Sequence, residues 1–243
     1  MIKLNRGVEP NILINKKDEW TKKLIDKINY FGGYEFIPDD VKKSVVSHYS
    51  HDEIKSVLID TTFKKCAFCE CLPEDGGGYI QVEHFHPKSI YPNECFSWEN
   101  FLPSCGICNN NKGTLDTKVT PIINPYDDDP KKSFYCNFLK VLPLKNDQKA
   151  INTEREIMLN SNRLINSRTE LLRKLQILTE ELRDSIVYLK EADTDRKISN
   201  RKSKLDQKIQ EIEFYMHPKS IHSFFCSQVI ENDCHYIEAK TLL

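Results

Sequence analysis

Glu83 and His84 stand side by side in the stretch VEHFHPKS, and two Cys-x-x-C pairs, Cys66/Cys69 and Cys105/Cys108, flank it. Two short knuckles supplying two thiolates each are what a closed tetrahedral zinc site requires, and the segment between them is then free to carry chemistry. Asn109 follows the last of these cysteines directly, and Lys112 lies one turn further along the same predicted helix face. Hydrolysis of a phosphodiester needs an activated water, a cation against the developing charge and stabilisation of the leaving oxygen. His84 suits the first task, because neutral imidazole titrates near working pH and can accept the water's proton. The carboxylate of Glu83 and the side-chain carbonyl of Asn109 are hard oxygen donors suited to one Mg²⁺. The zinc would not turn over substrate, since four thiolates leave no open position for water.

Each of these residues also has a plainer reading. Two Cys-x-x-C pairs fit a zinc ribbon that only binds another protein. Cys71 extends the first knuckle to C-x-x-C-x-C and competes with Cys69 as a ligand; two equal knuckles are the simpler arrangement. His86 lies two residues after His84, where strand alternation would set it beside the base, or it is a loop histidine before Pro87. Lys88 and Lys112 are candidate phosphate contacts. Asp127, Asp128 and Asp129 read as an acidic turn before Pro130 rather than a cation site. The pentapeptide HPKSI at His86–Ile90 recurs at His217–Ile221, but there no acid–histidine pair, cysteine pair or N-x-x-K accompanies it. The repeat reads as coincidence.

These side chains need elements to hold them. Tyr79 to Val82 is β-branched and aromatic enough for a strand with Glu83 and His84 at its end, and Gly76, Gly77 and Gly78 punctuate the chain before it. Adjacent strand residues point to opposite faces, so a bent strand end is needed to bring Glu83 and His84 to one phosphate. Pro87 and Pro92 predict a loop, Trp98 to Leu102 a second extended segment, and the second knuckle opens a short helix. Upstream, residues 1–62 read as helical: Trp20, Leu24, Ile25 and Ile28 form a stripe that Gly32 and Gly33 stop, and a capping box at Ser50 to Glu53 starts another helix. Residues 63–120 hold the cysteine pairs and the site, and 121–150 form a connection rich in proline and aspartate. Residues 151–243 keep helical spacing from Leu164 to Leu189 and again from Leu205 to Met216, predicting two long helices separated near Ala192 to Asp195. Phe224, Phe225, Val229 and Ile230 read as a packing or partner-docking end.

The fold class is therefore α+β and mostly helical. In 243 residues of 39% hydrophobic content there is enough apolar surface for a core, and no window reaches 18 consecutive apolar residues. The first residues lack the order of a secretory signal, so a cytoplasmic location without membrane contact is expected, with Cys71, Cys95, Cys136, Cys226 and Cys234 as spare reduced thiols. A net charge of −1 advertises no global field for nucleic acid, so any such contact is local or shared with a partner. Seven of the eight arginines lie between Arg155 and Arg201, on either a solvated helix face or a phosphate- or partner-binding one.

Glu83–His84, Asn100 within WENFL, and CGICNNNK from Cys105 to Lys112 together resemble the HNH endonuclease motif, the ββα-metal fold, in its zinc-supported form. The resemblance implies a small zinc-stapled nuclease core between an N-terminal helical segment and a C-terminal region of long helices. It implies His84 as general base, Asn100 bracing the loop that carries the base, Asn109 as metal ligand and Lys112 at its motif spacing. Glu83 stands where Asp is commoner, and Asn109 where the second histidine would be. Both are oxygen donors, which favours Mg²⁺ or Mn²⁺. RGVEPNIL, the block from Cys66 to Pro92, WENFLPSCGICNNNKG and TPIINPYDDDP further resemble the HNH effector subunit of Septu-type antiphage systems, which also occurs in certain retrons. That resemblance implies cleavage of DNA or transfer RNA, a hetero-oligomer with an ABC-type ATPase, and in some members a retron RNA/DNA element. The chain has no G-x-x-x-x-G-K-[ST] of its own. An inactive zinc-stabilised adaptor of the ATPase and a stand-alone restriction-type nuclease are the competing readings.

Overall fold

The computed structural model describes residues 1–76 and 78–243 of the chain. Gly77, the middle of the predicted glycine punctuation, lies outside the described residues. The first helix, α1 (Asn11–Phe31), turns Leu13, Trp20 and Leu24 inward and ends where Gly32 takes a left-handed φ of 81°. Next come α2 (Asp39–Val46), with Asp39 and Asp40 in its first turn, a 3₁₀ turn at Ser47–Ser50, and α3 (Asp52–Thr61). The expected capping box at Ser50 is not the one formed. Ser50 closes the preceding 3₁₀ turn by donating to the Ser47 carbonyl (2.7 Å), and His51 Nδ1 instead accepts from the Glu53 amide (3.2 Å). The Glu53 carboxylate reaches the Ile12 amide at the start of α1, 3.3 Å away.

Strands β1 (Ile80–His84) and β2 (Phe101–Cys105) pair antiparallel, Ile80 opposite Cys105 and His84 opposite Phe101. Helix α4 (Gly106–Lys112) leaves the end of β2 with no intervening loop. Trp98 to Asn100, expected to be extended, is one 3₁₀ turn closed by the Asn100 amide on the Ser97 carbonyl (3.0 Å). Val82, Phe96, Trp98 and Phe101 share a core with Trp20, Leu24, Ile54 and Leu58 of the N-terminal helices. At about 1.5–3 kcal/mol for each large apolar side chain removed from water, that packing is what presses the strand pair against α1 and α3.

The proline- and aspartate-rich connection also contains a two-stranded sheet, β3 (Phe134–Asn137) and β4 (Lys140–Pro143), before α5 (Gln148–Glu156). Its tip is Phe138 at φ 53°, so the Gly or Asn-Gly that signals a hairpin is missing.

Two compact units partition the chain. One comprises Met1–Ser133 and Pro143–Leu159, the other Phe134–Leu142 and Asn160–Leu243. In the second, α6 (Asn162–Lys190) and α7 (Asp195–Met216) pack Leu175, Leu182 and Ile186 with Leu205, Ile209 and Ile212, and α8 (Ser223–Ile230) and α9 (Cys234–Leu242) complete the core. Phe224, Phe225 and Ile230 are buried, so they serve packing. Arg168 is buried as well and donates to the Leu139 carbonyl (3.0 Å), while Arg173 and Arg183 pair with Glu170 and Asp184 at the surface. Among the described residues no helix is long and apolar enough to cross a membrane.

Candidate functional site

Cys66, Cys69, Cys105 and Cys108 are all buried, and their sulfurs lie within 4.8 Å of one another. Zinc–sulfur bonds of about 2.3 Å arranged tetrahedrally set sulfurs about 3.8 Å apart. Cys69 and Cys105 are separated by 3.9 Å, so the thiols are spaced for a metal ion such as zinc. Two local devices bring them together. The first knuckle closes with the Glu70 amide on the Cys66 carbonyl (3.0 Å), Glu70 taking φ 60°, and Cys105 is the N-cap of α4, its sulfur accepting from the Cys108 amide (3.5 Å). Cys71 contributes its carbonyl to the Cys66 amide (2.9 Å), and its thiol is not one of the four. Hydrogen bonds from Cys108, then from Cys66 and Cys69, pull the Cys105 thiol down, while Cys69 is pushed up to about 12 by its hydrogen bond to Cys105. A cluster that favours one thiolate by itself has the chemistry to release further protons to a divalent cation.

Beside the cage, Glu83, His84 and Asn109 line one cavity of about 210 Å³. The strand ends at His84, and both Glu83 and His84 line the cavity although they are adjacent in the strand. His84 is held from three sides. Tyr49 and Phe101 meet its ring edge-on at centroid distances of 4.7 and 5.3 Å, and Nε2 lies 2.9 Å from the Cys95 carbonyl. A carbonyl only accepts, so Nε2 carries the hydrogen and Nδ1 the lone pair. Burial, then Lys88, brings the imidazole down to about 3, with the Cys95 hydrogen bond opposing. His84 is therefore neutral at neutral pH, but it titrates well below the working pH expected of it, and burial makes the ring a weaker base than a free imidazole.

Glu83 is buried, and its Oε1 accepts from Lys112 Nζ at 2.6 Å. Burial pushes the carboxyl upward and Lys112 opposes it. Among the described residues Oε2 makes no hydrogen bond or ion pair. Asn109 shows the same division: its Nδ2 donates to Gln81 Oε1 (2.7 Å), leaving Oδ1 as a free acceptor. These two oxygens could hold a hard divalent cation such as magnesium or manganese.

Lys112 was expected at a phosphate. Its ammonium is instead fully buried, shared between Glu83 and the His84 carbonyl (2.8 Å), because α4 lies against β1 and the aliphatic stem of the lysine fills the space between. Lys88 lines the cavity with its Nζ 5.2 Å from the Tyr49 ring centroid. Asn100 lies outside the cavity and ties the following loop: Oδ1 accepts from the His86 amide (2.6 Å), and Nδ2 donates to the carbonyls of His86 and Glu94 (3.0 Å each). His86 is likewise outside. Its Nδ1 meets Thr117 Oγ1 at 2.6 Å, and Thr117 spends its hydrogen on the Phe85 carbonyl (2.9 Å).

Four contributors escape a reading of the motif. Gln81, two residues before Glu83, shares its strand face, so alternation was the available signal. Arg6 donates to the carbonyls of Trp98 (2.7 Å), Glu99 (3.0 Å) and Phe101 (3.1 Å), around Asn100. Tyr34 and Tyr49 enter the cavity wall from the N-terminal helical region, and no local spacing announces them. A larger groove of about 660 Å³ runs along α6 and α7, lined by Leu178, Gln207, Gln210, Glu211, Phe214 and Tyr215. Size alone would favour it, but beside its carboxylate and amide oxygens it gathers no histidine and no thiol cluster, so the smaller cavity is the candidate site.

The chain is 38% identical over 140 residues to the Septu protein PtuB of Bacillus thuringiensis, a match covering 56% of this chain and 48% of that protein. The chain thus spans about half the length of that relative. No protein-family model matches the chain.

Proposed function

We propose that the chain is a metal-dependent HNH endonuclease that hydrolyses DNA or RNA phosphodiesters as the effector of an antiphage defence system. One observation carries the chemical part: a neutral histidine, a spare carboxylate oxygen and a spare amide oxygen share one cavity next to a four-thiol cage. The defence setting, and an ABC-type ATPase as partner, rest on the similarity to the Septu protein.

His84 Nδ1 takes a proton from the attacking water while its Nε2–H stays on the Cys95 carbonyl, which keeps the lone pair aimed by backbone rather than by a mobile side chain. The water oxygen bonds to phosphorus, the bond to the leaving oxygen breaks, and that alkoxide takes a proton from solvent water while the His84 imidazolium returns its own proton to solvent. Glu83 Oε2 and Asn109 Oδ1 would hold the ion, which supplies positive charge to the crowded phosphorus centre when bound. Lys112 locks Glu83, Gln81 orients Asn109, and Asn100 fixes the loop behind His84. The cage on Cys66, Cys69, Cys105 and Cys108 holds the strand end and α4 in register and takes no part in bond breaking.

The test is nicking of plasmid and of transfer RNA by the purified chain, alone and mixed with a partner ATPase, with and without a chelator of magnesium. His84→Ala is expected to lose cleavage while keeping its zinc content and fold. Cleavage by that variant at the parent rate would remove His84 from the base role. A stable ATPase complex with no cleavage under any condition would favour the adaptor reading.

A further inference from the structure

The cavity at His84 has a second wall that no part of the nuclease motif supplies. Tyr34, between α1 and α2, and Tyr49, in the 3₁₀ turn after α2, both line it together with Glu83 and Asn109. Their hydroxyls have no hydrogen-bond partner among the described residues, though both rings are half-buried. A lysine accompanies each ring, Lys42 Nζ 5.2 Å from the Tyr34 centroid and Lys88 Nζ 5.2 Å from that of Tyr49. Burial raises both phenols, Tyr34 to about 12, so they remain protonated donors at neutral pH. Two idle donors and the Lys88 ammonium line one cavity, with Lys42 beyond the ring of Tyr34, and together mark an anion site in a chain whose net charge is −1.

The cavity's size narrows the ligand. At about 210 Å³ it holds roughly seven waters' worth of volume, below the ~300–1,000 Å³ common for whole small-molecule ligands. It admits a group rather than a molecule.

We infer that Tyr34 and Tyr49, with Lys88, form a phosphodiester-binding wall, their hydroxyls donating to the non-bridging oxygens of the group that His84 and the metal oxygens face from the other side. The inference rests on the nuclease reading for what happens next, but its binding step stands by itself. It makes the N-terminal helical region part of the substrate site rather than scaffold. It also gives a near-neutral chain a local means of holding a phosphate.

The experiment uses the full chain with its zinc and the small diester bis(4-nitrophenyl) phosphate, so that no choice between DNA and RNA enters. Binding is followed by ³¹P NMR titration without added magnesium, and hydrolysis by nitrophenolate release with it. Tyr34→Phe and Tyr49→Phe keep the rings and remove only the hydroxyls. Each is expected to weaken binding about tenfold, as loss of a hydrogen bond to a charged group does, with thermal midpoint and zinc content unchanged. Lys42→Gln, which removes charge beyond the ring of Tyr34, is expected to have a smaller effect. Phe variants that bind like the parent, or a parent that does not bind the diester, would overturn the wall. Tyrosine-dependent binding with no hydrolysis of this diester or of nucleic acid would instead sink the nuclease reading and leave the wall standing.

Discussion

The pentapeptide HPKSI occurs twice, once in each compact unit, and the two copies are put to different uses. Both form turns: the Ile90 amide bonds to the Pro87 carbonyl (3.0 Å) in the first, and the Ser220 amide to the His217 carbonyl (2.8 Å) in the second. The first, however, is gripped from far along the chain, with Asn100 on both backbone groups of His86 and Thr117 on its ring. In the second, His217 Nδ1 accepts from the Lys219 amide (3.2 Å) and Ser220 Oγ donates to the Phe214 carbonyl (2.5 Å), both close along the chain. What precedes each copy differs in kind. A strand delivers Glu83 and His84 ahead of the first; α7 delivers Phe214 and Tyr215 ahead of the second. Five identical residues thus specify a turn, and the surrounding fold decides whether that turn borders the candidate site or finishes a helix.

Breaking the thiol cage should separate the copies most strongly. In Cys105→Ser, amide exchange is expected to accelerate from residues 86 to 90 and stay slow across 217 to 221, because apparent zinc-binding energies of about 10–16 kcal/mol underlie structural sites of this type. Equal protection of both copies in the variant would show that the first does not depend on the metal. His84→Ala comes next: removal of a general base lowers rates by about 10²–10⁴-fold, whereas His217→Ala should leave cleavage at the parent rate. Asn100→Ala leaves backbone groups of the first copy unpaired and is expected to cost about 2–3 kcal/mol in urea unfolding, with no counterpart in the second unit.

A gentler contrast comes from acid. The folded-state value of His84 lies near 3, below the usual 6.5, so the unfolded chain takes up a proton that the folded one refuses. Stability from this group is complete above pH 6.5 and drains away as pH falls toward 3. His84→Gln should flatten the fall of the thermal midpoint between those limits. Smallest of all, His217→Ala is expected to change unfolding free energy by no more than about 0.5 kcal/mol, as for exposed positions generally.

The contrast between the copies also explains what could be read in advance. Spacing announced the cysteine pairs, and periodicity announced α6 and α7, because those signals are local: a knuckle is four residues long and a helix repeats every turn. Glu83 with His84 was legible for the same reason. The inward turn of Lys112 was not, since nothing in CNNNK says which element the helix will lie against. Tyr34 and Tyr49 were equally silent; they belong to the cavity only after α1, α2 and α3 have packed on the strands. The β3–β4 pair was missed because Phe138 takes a backbone conformation usually reserved for glycine.

Arg6 bears on how portable the site is. Its guanidinium spans the carbonyls of Trp98, Glu99 and Phe101 and lies 4.1 Å from the ring centroid of Tyr126. Cutting out residues 63–120 for transplantation would therefore sever a staple that lies outside the cut at both ends, and leave the turn around Asn100 to hold itself. A graft intended to keep the loop behind His84 must carry Arg6 and Tyr126 with it, or replace three carbonyl contacts by other means.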